Sequence, residues 1–171
     1  MTGIEFVKIG LQELPEVKQF YAAITSDLRK KGIDQWDRFY PNRFVMKNDL
    51  KNGTLFGIKE ENHLIGAIVL DTNQSKQYLK LQWEDHTGRP LIIHRLAVHP
   101  FHQGKGIGKK LLNFAEEYAL EKGHTSIRMD VYSQNPAAVG MYERAGYQIK
   151  GSVRFPLRKV PYLCFEKIIL I

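Results

Sequence analysis

The segment Gln103-Gly104-Lys105-Gly106-Ile107-Gly108-Lys109 constrains this chain more than any other stretch. It follows Leu91–Val98, the strongest strand pattern in the sequence, and leads into an amphipathic segment that reaches Lys122. Leu111, Leu112, Phe114, Ala115, Tyr118 and Ala119 form the apolar face of that segment, and Gly123 closes it. A strand ending at His99-Pro100, a glycine turn and a helix make a local unit with chemistry of its own. The first N–H groups of a helix have no partner inside it, and together with the helix dipole they face whatever lies in front. Glycines remove the Cβ atoms that would hold a ligand away. The turn is therefore a candidate cradle for phosphate oxygens, with Lys105, Lys109 and Lys110 adding positive charge nearby.

Known phosphate loops fit unequally. A Walker A loop needs a glycine five residues before its Gly-Lys pair and Ser or Thr after it; here Gln103 and Lys110 stand at those places. A dinucleotide fingerprint needs G-x-G-x-x-G, and Gly104, Gly106 and Gly108 fall one residue short. Asp130, at the end of the next strand, stands where a ribose ligand would, which keeps a dinucleotide site open as an alternative. The plainest alternative is a glycine turn that packs a helix tightly against a strand.

Around this unit the pattern predicts a strand at Ile4–Ile9, a helix over Leu11–Lys31 stopped by Gly32, and an aromatic loop from Ile33 to Pro41. Asn42 caps a short helix to about Leu50, and strands follow at Leu55–Lys59 and Leu64–Leu70. Lys76–Trp83 reads as a further strand or an extended loop. Ser126–Val131 is a strand, Asn135–Ala145 a helix with Pro136 at its first position, and Tyr147–Val153 and Tyr162–Ile169 are the last strands. Crossovers through helices require parallel pairing and the short connections suit antiparallel pairing. The expected fold is mixed α/β (α+β), a central sheet of about seven strands flanked by about four helices. With 171 residues and no linker or repeat, residues 1–171 are expected to form a single domain.

The formal net charge of +7 biases the surface toward anionic partners, either nucleic acid or a phosphate-rich cofactor. Lysines and arginines are scattered from Lys8 to Lys167, and no nucleic-acid motif accompanies them, so no nucleic-acid partner is expected. No apolar run is long enough to span a membrane, and the start MTGIEFVKIG does not read as a signal peptide. Cys164 is the only cysteine, so no internal disulfide is possible and a cytoplasmic setting is natural. His99, His102 and His124 lack metal-ligand spacing, and no metal is expected.

Three motifs, in order and in matching strand–helix context, resemble one family. The segment Gln103 to Gly108 resembles the Q/R-x-x-G-x-G/A acyl-CoA loop of the GNAT N-acetyltransferases. Leu96-Ala97-Val98-His99-Pro100 is similar to the strand end before that loop, and Asn135-x-x-Ala138-x-x-x-Tyr142-x-x-x-Gly146-Tyr147 resembles a second family motif. The resemblance covers about Leu91 to Val153, the acyl-CoA-binding core, and the N-terminal helices of about 11–52 would stand on the acceptor side. It implies acetyl-CoA as cofactor, with backbone N–H groups of Gln103, Gly104, Lys105, Gly106, Ile107, Gly108 and Lys109 on the diphosphate. It further implies that the strand holding Leu96, Ala97 and Val98 splays from Ser126–Val131, that the pantetheine arm bonds its backbone, and that the Val98 N–H polarises the thioester carbonyl. Asn135, with Ala138 and Tyr142 on the helix it opens, would contact the cofactor arm.

Tyr142 matches the family's general acid for the departing thiolate; its alternative is a core tyrosine beside Val139 and Met141. His94 lies two residues before Leu96, on the same strand face as Leu96 and Val98. An imidazole is suited to take a proton from an ammonium substrate, and the choice between a catalytic and a structural histidine stays open here. Some family members have a histidine at this place; many use a glutamate earlier in the strand, where this chain has Ile92. Arg95 would point to the opposite face. Trp36, Phe39 and Tyr40 are candidates to line the acceptor site, or to anchor their loop. The expected reaction is direct transfer to an amine of a small molecule or peptide. The alternative is a non-catalytic acyl-CoA-binding module. The apolar end Ile168-Ile169-Leu170-Ile171 suits either a homodimer contact or a last core strand.

Overall fold

The computed structural model describes residues 3–169. Expectations that fall on Met1 and Thr2, at the start read for a leader, and on Leu170 and Ile171, at the apolar end, lie outside the described residues. Among the described residues the order is β1 (Ile4–Lys8), α1 (Leu14–Lys30), α2 (Arg43–Lys51), β2 (Leu55–Glu60), β3 (His63–Asp71), β4 (Pro90–Val98), α3 (Ile107–Lys122), β5 (Ser126–Tyr132), α4 (Pro136–Arg144), β6 (Gln148–Val153) and β7 (Tyr162–Ile168). The strands follow the sheet order β1-β2-β3-β4-β5-β7-β6. No helix among the described residues is long and apolar enough to cross a membrane.

The chain divides into two compact units. The first holds the residues up to Leu70 together with Arg95–Leu111. In it β1, β2 and β3 form an antiparallel meander, with Phe6 opposite Ile58 and Phe56 opposite Ile68. On α1 the buried residues Val17, Phe20, Tyr21 and Ile24 pack with Trp36, Met46, Leu50, Leu55, Ala67 and Ala97, and Leu14 and Leu28 are partly buried against them. A single 3-10 turn, Leu11–Glu13, precedes α1, which begins beside a proline in its first turn and stops where Gly32 takes a φ of +75°. Asn42 caps α2 by accepting from the Val45 N–H at 3.0 Å.

The second unit holds Asp71–His94 and the chain from Leu112 onward. Here β5 pairs antiparallel with β7, and β7 with β6. β4 runs parallel to β5 from Pro90–Ser126 to Ile92–Arg128, while β5 stays paired with β7 as far as Tyr132–Tyr162. Tyr78, Trp83, Ile92, Val153 and Cys164 form a core cluster.

Lys76–Trp83 corrects the strand-or-loop expectation. Lys76–Lys80 is a 3-10 helix, capped by Ser75, whose side chain accepts from the Gln77 N–H. Tyr78 is buried while Leu79 faces solvent. Hydrogen bonds decide the conformation instead: the Trp83 indole N–H donates to the Tyr78 carbonyl at 2.9 Å and the Tyr78 hydroxyl donates to Asp130 at 2.7 Å.

Buried charge ties the segment after Asp71 to the strands of its unit. Arg128 and Glu166 are both buried, with Nε to Oε2 at 3.0 Å. The other guanidinium nitrogens donate to Gln74 Oε1 at 2.9 Å and the Asp85 carbonyl at 2.5 Å, and the Trp83 ring lies 4.3 Å away. Glu166 Oε1 accepts from the Glu84 N–H at 2.7 Å. All these groups are paired, which is the condition for tolerating charge in a core.

Candidate active site

The glycine turn lies in the first unit. Gln103 to Gly106 are exposed and precede α3 directly. Gly104 and Gly106 have φ of +76° and +81°, and a Cβ built on either would meet nothing within 4 Å. Glycine is thus required here by backbone conformation, and the space above both residues is open. The Lys110 N–H bonds the Gly106 carbonyl at 3.1 Å, so the amides of Ile107, Gly108 and Lys109 precede the first bond of the helical ladder. Gln103 braces the turn, donating from Nε2 to the Val98 carbonyl at 3.2 Å and accepting from Lys31 Nζ at 3.3 Å. The His99 N–H donates to the Ile65 carbonyl at 2.8 Å, which fixes the end of β4 against β3. Amides ahead of the helical ladder, left-handed glycines with open space above them, and Lys105 and Lys109 beside them suit the diphosphate of coenzyme A.

Arg95, between His94 and Leu96, has a φ of +49°. The expectation that His94, Leu96 and Val98 share a face rested on strict alternation, which a left-handed residue interrupts. A non-glycine residue holds this conformation at a cost of about 1–2 kcal/mol, so its surroundings must impose it. They do so from several sides. Arg95 donates to both Asp49 oxygens at 2.9 and 2.6 Å and to the Tyr40 hydroxyl at 2.9 Å, and its carbonyl accepts from the Tyr21 hydroxyl at 2.8 Å. Sequence reasoning missed this network, since its partners stand far apart along the chain. Of the residues named for the acceptor side, Tyr40 therefore has its hydroxyl in the network. Trp36 is 5% exposed and packs edge-on to Tyr21, while Phe39 is 67% exposed. Phe39 also lies with Lys18, Arg29, Arg38 and Arg43 around an open depression of about 1140 Å³.

The second unit contains Tyr142 and His94. Asn135 is buried and caps α4, its side chain accepting from the Ala138 N–H at 3.2 Å. Tyr142 is buried two turns further on, its ring 5.7 Å from Phe165 and 5.9 Å from Tyr147. Burial, and then the negative charge of Asp130, push its phenol above the ordinary range. The hydroxyl accordingly keeps its proton at any physiological pH. Burial, with Asp130 adding to it, pushes the Cys164 thiol up to about 12. His94 is half-buried, and its Nε2 lies 2.8 Å from Asp71 Oδ1. Asp130, weighed above as a ribose ligand, instead holds the Tyr78 hydroxyl. No cluster of three His, Cys, Asp or Glu side chains among the described residues is arranged to hold a metal ion.

Comparison with known proteins identifies the family and the fold. A curated relative, "Uncharacterized N-acetyltransferase YesJ" of Bacillus subtilis, is 27% identical over 127 residues, 73% of this chain and 71% of that protein. A second, "Uncharacterized N-acetyltransferase MJ1207" of Methanocaldococcus jannaschii, is 30% identical over 74% of this chain, and the match spans about half, 51%, of that longer protein. The solved PaiA N-acetyltransferase from Thermoplasma acidophilum, crystallised in complex with coenzyme A, shares the fold with a TM-score of 0.75 at 20% identity, covering 97% of this chain and 99% of that one. The sequence pattern of the Acetyltransferase (GNAT) family matches residues 18–147, most of the chain, and the chain belongs to that family.

Proposed function

We propose that this chain transfers an acetyl group from acetyl-CoA to a primary amine of a small molecule or peptide, by direct attack within a ternary complex. The observation that carries the reading is the exposed turn at Gly104 and Gly106, with open space where side chains would be and the amides of Ile107–Lys109 following it. Acetyl-CoA supplies an acyl thioester. The turn binds its diphosphate, the backbone of Leu96, Ala97 and Val98 and the residues Asn135 and Ala138 bind its arm, and Phe39, with Trp36 and Tyr40 behind it, belongs to the acceptor side.

The chain's own groups move the protons. His94 takes one proton from the acceptor ammonium and passes it to solvent. The neutral nitrogen forms the C–N bond as the C–S bond breaks. Tyr142 gives its proton to the departing thiolate, and the second proton, lost by the nitrogen as the amide forms, returns through solvent to the phenolate, so that one proton in all is released. A panel of amines scored by thiol release from acetyl-CoA tests the reading; no release with any amine, despite cofactor binding, would refute it.

Gly106→Ala is expected to weaken acetyl-CoA binding by about tenfold, since forcing a left-handed alanine costs roughly 1–2 kcal/mol and shifts the amides when it relaxes. Isothermal titration reads the loss. Cys164 is buried and its thiol protonated, so it carries no acetyl group. Cys164→Ala is expected to retain turnover, and mass spectrometry of wild type with acetyl-CoA alone to find no acetylated protein.

A further inference from the structure

We propose that Asp71 is a positioning residue for His94, holding the ring as its Nε2–H tautomer so that Nδ1 is the nitrogen that meets the acceptor's proton. The proposal rests on the reading of His94 as the base. Asp71 is the last residue of β3, and its Oδ1 lies 2.8 Å from His94 Nε2 on β4. The two side chains are 16% and 23% exposed, so water competes weakly for the bond. An ionised carboxylate only accepts, which obliges Nε2 to donate; in a neutral imidazole the remaining nitrogen is then the acceptor. The carboxylate is itself held, because Oδ1 also accepts the backbone N–H of Asn73 at 2.9 Å. A main-chain amide thus fixes the carboxylate, and the carboxylate fixes both rotation and tautomer of the ring. This is the division of labour by which an acid behind a histidine aids proton transfer without titrating itself. Neither residue's spacing along the chain reveals the pairing, since 23 positions separate them.

Protein labelled with ¹⁵N at histidine tests the placement directly. Two-bond proton–nitrogen correlations are expected to show His94 with a protonated Nε2, a pyridine-like Nδ1 and a slowly exchanging Nε2–H. That slow proton is expected to vanish in Asp71→Ala. Asp71→Asn keeps an oxygen at the place of Oδ1, which both the Asn73 N–H and the ring meet, and serves as the fold-preserving variant; there the Nε2–H tautomer is expected to persist, with a faster-exchanging proton because the acceptor is neutral. In kinetics, Asp71→Ala is expected to lower kcat by about 10–100-fold with KM for acetyl-CoA unchanged. In a His94→Ala background the same change is expected to cost nothing further, because the residue acts through the ring. A wild-type ring protonated on Nδ1, or an equal kinetic loss in both backgrounds, would overturn the proposal. Full turnover in His94→Ala, with the ring signature still dependent on Asp71, would instead remove His94 as base and the role of Asp71 with it.

Discussion

Glu166→Leu is expected to destabilise the protein by about 3–5 kcal/mol, because it strands the Arg128 guanidinium in the core. For a chain of 171 residues that lowers Tm by on the order of 10 °C, measured by calorimetry. The size follows from the geometry. Arg128 and Glu166 are 7% and 0% exposed, so neither finds water when its partner is lost. A paired change, Arg128→Met with Glu166→Leu, removes both charges together and is expected to recover part of the loss. Recovery stays incomplete, since the Glu84 N–H and the Asp85 carbonyl each lose a partner in the exchange. If the single change proved neutral, the view that this pair anchors the segment after Asp71 would fail.

Tyr142→Phe is expected to lower kcat by about 10²–10⁴-fold while leaving acetyl-CoA binding within a few-fold of wild type. Phenylalanine keeps the contacts with Phe165 and Tyr147 and removes only the hydroxyl. The pH profile carries a second signature. The phenol's pKa is raised, so the group stays protonated through the range in which an exposed tyrosine ionises, near about 10. No loss of kcat assignable to this acid is therefore expected on the alkaline side up to that pH. Stopped-flow detection of the free thiol separates the chemical step from product release. A variant as fast as wild type in that step would leave Tyr142 a packing residue.

Much of the core unit was legible along the chain. β4, the turn and α3 lie within one or two residues of their expected limits, because their signals are local: an apolar run, a proline, glycines and an amphipathic period. The caps at Asn42 and Asn135 were equally local. What was hidden depends on residues distant in sequence. Nothing in Leu91–Val98 signals a break in the strand, yet Arg95 turns left-handed because Asp49, 46 residues away, meets its guanidinium. The strand-like pattern of Lys76–Trp83 yielded to bonds from Ser75 and to Asp130. Arg128 reads as an ordinary surface cation until Glu166 is found opposite it on β7. Trp36 looked as apt for a ligand as Phe39, and only packing separates the buried ring from the exposed one.

In a regular strand, adding or removing one residue sends every later side chain to the wrong side. The left-handed residue in β4 supplies a place where such a change can be absorbed, by Arg95 relaxing to an extended conformation or a neighbour taking its place. Length variation among related chains should therefore concentrate at this point of the strand. Where it does, the arginine and its carboxylate partner should be lost together, since each is needed only while the kink exists.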